Sequence, residues 1–126
     1  MSCRTPQELS AAFAAAIGAG DVPGALELWL DDATIVQPDG NAVRGRAAIG
    51  AALTALLEND VSVDVDVERT FSAGAVAVAV GTLTLSGERA DGTPYRQSSR
   101  SVVIYERGDD GQWRLAIDAP WGLPQG

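Results

Sequence analysis

Arg100 and Asp118 are the two residues of this chain whose placement points to chemistry rather than scaffold. Arg100 lies in the run Ser99-Arg100-Ser101-Val102-Val103-Ile104-Tyr105, and Asp118 in Ala116-Ile117-Asp118-Ala119-Pro120. The Gly108-Asp109-Asp110-Gly111 stretch between them has hairpin-turn composition. Pairing Glu106 with Trp113 sets Ile104 opposite Leu115, Val102 opposite Ile117 and Arg100 opposite Ala119. Arg100 is then expected on the buried face, in line with Val102 and Ile104. A guanidinium there needs a partner. Its planar fork of donors suits a carboxylate, phenolate or enolate ligand, and equally an internal salt bridge to an acidic side chain. Asp118 stands at a strand end just before Pro120, where alternation can break and turn it into a cavity. It would act there as a base or water activator; capping a neighbouring loop is the alternative.

Other chemistries are closed by composition. The chain has no His and no Lys; all nine basic residues are Arg. That excludes a His-based triad, a Schiff-base lysine and a His-ligated metal. No phosphate loop or dinucleotide fingerprint is present. Any reaction must use Asp, Glu, Tyr, Ser, Thr, Arg or a bound water, and neither a cofactor nor a metal is expected. The net charge of −8 argues against nucleic acid or an anionic membrane as partner. Cys3 is the only cysteine, so no intrachain disulfide forms. The apolar runs are broken well short of a membrane span. The opening MSCRTPQELS lacks the apolar core of a signal peptide, and a cytoplasmic location is expected.

The elements that must hold these residues follow from periodicity. At 126 residues, positions 1–126 read as one domain. Thr5-Pro6-Gln7-Glu8 opens a helix as a capping box, and Leu9, Phe13 and Ile17 make its apolar stripe. Asp21 caps a second helix over 22–30 that turns Leu26, Trp29 and Leu30 inward. Residues 33–37 read as a strand, Pro38 to Asn41 as a turn, 43–45 as a short edge segment and 46–59 as a third helix. From Asp60 the period becomes two. Val61, Val63, Val65 and Val67 alternate with Ser62, Asp64, Asp66 and Glu68, whose acidic row reads as a solvated face rather than a metal site. The strand over 75–86 carries Val76, Val78, Val80 and Thr82 on one side and Ala77, Ala79, Gly81 and Leu83 on the other. Aligning Thr82 with Arg100 makes the valine side continuous with the apolar face of the last hairpin.

Helices segregate from strands, so the class is α+β. The expected architecture is a cone-shaped, curved, mostly antiparallel sheet with three N-terminal helices on its concave face, enclosing a pocket. The opposite side, with Ala77, Ala79, Leu83, Val103 and Tyr105, is expected to lie outside and to join two copies sheet to sheet in a homodimer.

Several short stretches resemble the nuclear-transport-factor-2-like superfamily, which includes ketosteroid isomerases and SnoaL-like polyketide cyclases. They are Gly20-Asp21, Asp31-Asp32-Ala33-Thr34, Val43-Arg44-Gly45-Arg46-Ala47-Ala48-Ile49, Arg100, Asp110-Gly111-Gln112-Trp113-Arg114 and Ile117-Asp118-Ala119-Pro120. The ordered set spans nearly the whole chain. The resemblance implies the cone fold and a pocket, but this fold hosts many chemistries. It also tests steroid isomerisation residue by residue. The isomerases' Asp base falls on Gln37, and their oxyanion-hole Tyr falls on Phe13. Their protonated Asp falls near Arg100 and Ser101. An amide cannot take the proton and a phenyl ring cannot donate one, so isomerisation by that mechanism is not expected.

The expected pocket is lined by Phe13, Trp29, Gln37, Thr82, Arg100 and Trp121, with Asp118 and Arg100 as candidate catalytic groups. For the aromatics, plain core packing is the competing reading. Two functions stay open. One is a small cofactor-free isomerase, cyclase or hydratase acting on a hydrophobic, carbonyl-bearing molecule. The other is a non-catalytic ligand-binding or accessory protein.

Overall fold

The computed structural model describes residues 3–37, 40–57, 62–88 and 91–119. The chain runs α1 (Pro6–Gly18), α2 (Val22–Leu26), β1 (Trp29–Val36), β2 (Ala42–Arg44), α3 (Arg46–Leu57), β3 (Ser62–Ala73), β4 (Val76–Glu88), β5 (Pro94–Arg107) and β6 (Trp113–Ala119). The six strands form one open, curved sheet in the order β2-β1-β6-β5-β4-β3. Every neighbouring pair is antiparallel except β1 and β6. The α+β class and the mostly antiparallel sheet are therefore as expected.

The first helix starts where its residues dictate. Thr5 Oγ1 accepts the Glu8 amide at 3.1 Å, satisfying a donor that the first helical turn leaves unpaired, and Pro6 follows the cap. Leu9, Phe13 and Ile17 are buried on one stripe, as the four-residue spacing predicts, and Ser10 is buried beside them. The second helix is shorter than expected. Asp21 caps it through the Gly24 amide at 3.0 Å, but it ends at Leu26, and Trp29 and Leu30 already belong to β1. Arg46 explains part of that early exit. Its guanidinium bonds the Trp29 carbonyl, at 3.0 Å from Nε, and pairs with Asp31 at 2.9 Å, which ties the start of β1 to the start of α3.

The two faces of the sheet are reversed from the expected assignment. The alignment of Thr82 with Arg100 holds, and so do Val80 with Val102 and Val78 with Ile104. Yet this valine side is the outer face, where Val76 is 48 % exposed. The helices cover the other side, and Ala77, Ala79, Leu83, Val103 and Tyr105 are buried there. The expected dimer face is thus interior. The cause is volume. Both sides of β4 are apolar, so hydropathy alone does not choose between them. The small residues leave room for α1, and Tyr105 reaches across to it, its hydroxyl 2.7 Å from Ser10 Oγ. The outer face keeps Phe71 and Ile117 exposed beside Val76.

The sheet has three register shifts, one in β1 between Trp29 and Thr34 against β6 and two that shape the faces. In β3 the register to β4 shifts between Val67 and Arg69, with Val67 opposite Gly81 and Arg69 opposite Val80. Val63, Val65 and Val67 turn inward before it; beyond it Phe71 turns out. In β6 the pairing to β5 shifts between Ile104 opposite Ile117 and Tyr105 opposite Leu115. Ala116 is the extra residue. Trp113 and Leu115 are buried, but beyond the bulge Ile117 points out and Asp118 points in. The expected pairing of Glu106 with Trp113 is corrected first at the turn. The turn closes with the Gly108 amide on the Gln112 carbonyl at 2.9 Å, which sets Arg107 opposite Trp113 and Glu106 opposite Arg114; the bulge then adds a further one-residue shift.

Among the described residues, no helix is long and apolar enough to cross a membrane.

Gly81 is where the β3 bulge presses closest. A Cβ there would lie 2.0 Å from the Asp66 carbonyl oxygen and 2.9 Å from the Val67 Cα, both backbone atoms. Gly81→Ala is therefore expected to destabilise the fold by about 1–3 kcal/mol, in the range of overpacking substitutions. Urea unfolding measures this; an unchanged midpoint would mean that β3 gives way at no cost.

Candidate functional site

The concave side of the sheet and the inner faces of α1 and α3 enclose a cavity of about 410 Å³. That size suits a small organic ligand. Phe13 and Ile17 come from α1, Leu53 from α3, Ile35 from β1, Val65 from β3 and Leu83 from β4. Two polar side chains reach it, Gln37 and Asp118. The topology brings them together. Ile35 pairs with Asp118 across the parallel β1–β6 ladder, and Gln37 lies two residues beyond Ile35, so alternation sets it on the same face.

Asp118 is 6 % exposed. No hydrogen bond or ion pair holds its carboxyl among the described residues. Burial alone pushes its pKa up to about 7, because an apolar surround disfavours the charged form. A carboxyl in that state is part acid and part base at neutral pH. It can give a proton to a ligand oxygen or take one from a carbon acid, and the apolar walls exclude competing water.

The other expected site residues divide. Phe13 lines the cavity. Trp29 does not. It is fully buried behind Phe13, their rings edge to face at 5.8 Å, and its indole Nε1 has no hydrogen-bond partner among the described residues. Its aromatic character serves the core. Arg100 and Thr82 lie on the outer face. The Arg100 side chain is 63 % exposed and its Nη1 pairs with Glu68 at 2.6 Å, with Thr82 Oγ1 at 3.5 Å. The salt bridge weighed against a ligand role is the one that forms, with Glu68 supplied by the acidic row of β3. The reason is the face reversal, which carries every even-numbered residue of β5 in this region outward. Trp121 lies outside the described residues.

Ser10, Ser101 and Tyr105 stand behind Asp118, although the sequence suggests Tyr105 only as an outer-face residue, Ser101 only as a neighbour of the isomerases' acid position, and no role for Ser10. They line a second, smaller cavity of about 30 Å³ that shares Phe13, Val65, Leu83 and Asp118 with the first. Burial raises the Tyr105 pKa, with the Ser10 hydrogen bond opposing and the Asp118 charge adding to the rise. Ser101 and Tyr105 share parity with Val103, so the correct face assignment would have revealed them. Ser10 carried a weaker signal, as a hydroxyl beside the Leu9–Phe13–Ile17 stripe. Among the described residues, no group of three His, Cys, Asp or Glu side chains comes together as a metal site.

This architecture has relatives. The family model of the SnoaL-like domain matches residues 10–116, and the chain belongs to that family. It is 30 % identical over 120 residues to the epoxide hydrolase LasB of Streptomyces lasalocidi. The match takes in 93 % of this chain and 41 % of LasB, so the chain spans about two fifths of that relative's length. A ketosteroid isomerase-like protein from Erwinia carotovora atroseptica superposes with a TM-score of 0.78 at 14 % identity, over 90 % of this chain and 89 % of that one. A nuclear transport factor 2-like superfamily protein from Salmonella enterica does so with a TM-score of 0.74 at 16 % identity, over 94 % and 88 %. These two likenesses are of fold. The resemblance read from the short stretches of sequence is thereby confirmed at the level of superfamily.

The buried carboxyl sets a pH dependence of stability. The folded pKa of Asp118 is about 7, while the unfolded value of an aspartate is about 3.9. The folded state therefore holds its proton longer. Stability from this group is fully present at low pH, falls as pH rises from about 4 to about 7, and is level above that. Between pH 5 and pH 8 the wild type is expected to lose on the order of 2 kcal/mol more than Asp118→Asn in urea unfolding. Equal losses would show a carboxyl that titrates as if in water.

Proposed function

We propose that the protein takes a small, uncharged, hydrophobic molecule bearing a carbonyl or similar oxygen into the main cavity, and that Asp118 moves a proton on it. The observation that carries this reading is a buried carboxyl, with no partner among the described residues, on the wall of a cavity that is apolar apart from Gln37. No cationic side chain lines that cavity among the described residues. A carboxylate ligand would meet Asp118 with no charge to offset it, so an anionic ligand is disfavoured, and the otherwise apolar wall favours a neutral one. In this scheme the Gln37 amide donates a hydrogen bond to the ligand oxygen. The ionised Asp118 takes a proton from the carbon beside the carbonyl, the electron pair moves to the oxygen as an enolate, and the proton returns to a different carbon. The protonated Asp118 instead serves reactions that begin with protonation of the ligand oxygen. LasB is named an epoxide hydrolase, which brings neutral epoxides into the ligand panel.

A non-catalytic ligand-binding role has one feature in its favour. At the positions matching the isomerases' base and oxyanion donor, the cavity presents Gln37 and Phe13. The experiment separates the two. Neutral apolar ketones, enones and epoxides, each beside a matched carboxylate, are titrated into the protein and then followed for turnover between pH 5 and pH 9. Neutral members are expected to bind and carboxylates to bind at least tenfold less tightly at pH 8. Asp118→Asn is expected to keep binding and to lose on the order of 10²–10⁴ in turnover, as loss of a general acid–base does. Binding without turnover assigns the non-catalytic role. Preferential binding of carboxylate anions contradicts the reading.

A further inference from the structure

We propose that the small cavity behind Asp118 is a built water site, and that it links Asp118 to solvent by a route separate from the ligand cavity. The inference extends the acid–base reading of Asp118, but its test uses the ligand-free protein.

Three spaces lie in series. The main cavity and the small one share Asp118. The small one in turn shares Ser10, Val65 and Val67 with an open groove between α1 and β3. That groove is lined by Gln7, Ala11 and Ala14 on the helix and by Glu68 and Arg69 at the β3 bulge, with a volume of about 470 Å³. Ser10 therefore stands between solvent and the small cavity, and Asp118 between the small cavity and the ligand.

The small cavity fits one water. A site of about 10–15 Å³ suffices, provided two to four polar groups surround it. Here the volume is about 30 Å³, and the polar groups are the Asp118 carboxyl and the hydroxyls of Ser10, Ser101 and Tyr105. The hydroxyl pair leaves capacity for such a water. Ser10 and Tyr105 bond each other at 2.7 Å, which uses one of their two protons and leaves the other to donate. Gly81 and Ala79 on the same wall keep the space open where a larger residue would fill it. Of the residues that share a cavity wall with Asp118, Tyr105 is the one that ionises and none is charged. A water held there would donate to the ionised carboxyl and pass a proton from it toward Ser10 while a ligand fills the front.

The route tells what each substitution does. Ser101→Val replaces the hydroxyl by a methyl group and adds a second, which fills the water position. Tyr105→Phe removes one partner of the water and keeps the ring. Both are expected to strip hydrogen bonding from the ionised Asp118, so its carboxyl titration, followed by carbon NMR in the ligand-free protein, should move up by at least half a pH unit. A crystal structure of the ligand-free wild type should show an ordered water within hydrogen-bond distance of both Asp118 and Tyr105. The proposal is overturned if that position is dry, or if both variants titrate as the wild type does. Neither outcome depends on which molecule occupies the main cavity. Failure of the ligand panel, conversely, leaves the water site standing.

Discussion

One inserted residue governs the site. Along β6 the side chains alternate from Trp113 through Leu115, and a regular strand would carry Ile117 inward and Asp118 outward to water. The bulge at Ala116 exchanges them. Its consequence is a pair of exposures that oppose residue type, with Ile117 at 43 % and Asp118 at 6 %. Burying an aspartate and exposing an isoleucine both oppose the hydrophobic effect. Neighbouring ladders hold the exchange in place. β6 lies between β5 and β1, so its ladder is fastened on both sides, by Val103 opposite Asp118 on one and Ile35 opposite Asp118 on the other.

The electrostatics of the molecule follow a simple division. The chain carries a net charge of −8, and its described ion pairs lie near the surface. Arg100 meets Glu68, Arg46 meets Asp31, and Arg114 meets Asp110, whose carboxyl that guanidinium holds down to about 2. Exposed pairs of this kind contribute little to stability. Among the described residues, Asp118 alone combines deep burial with the lack of any cation beside it. Asp110 and Asp118, eight positions apart on one hairpin, thus sit at opposite ends of the carboxylate range. Environment sets them apart: a guanidinium in water for one, apolar walls for the other.

Much of the fold was legible because its signals are local. The Thr5–Glu8 cap, the Leu9–Phe13–Ile17 stripe and the change of period after Asp60 each depend on neighbours a few residues away. The alignment of β4 with β5 was also readable, since Thr82 and Arg100 fall out of matching two alternating strands. The choice of face was not readable. With valines on one side of β4 and alanine, glycine and leucine on the other, the deciding term is whether α1 fits, and that depends on contacts between distant segments. Once the face was misassigned, Arg100 and Thr82 followed it outward and Ser101 and Tyr105 were overlooked. Asp118 escaped this error because its candidacy rested on the strand end before Pro120, where alternation was allowed to fail. Trp29 was misplaced for a different reason. An aromatic beside Leu26 and Leu30 continues a helical pattern, and the clamp of Arg46 on its carbonyl leaves no mark in the local sequence.

The central claim is that Asp118 is a buried carboxyl, without a partner among the described residues, at the wall of a ligand cavity. Titration of that single carboxyl in the wild-type protein by carbon NMR tests it most directly, with Asp118→Asn to assign the signal. A midpoint near 7 is predicted, moving further upward when a neutral apolar ligand fills the main cavity and displaces water from it. A midpoint near 4 that no ligand shifts would place Asp118 in solvent and contradict the site.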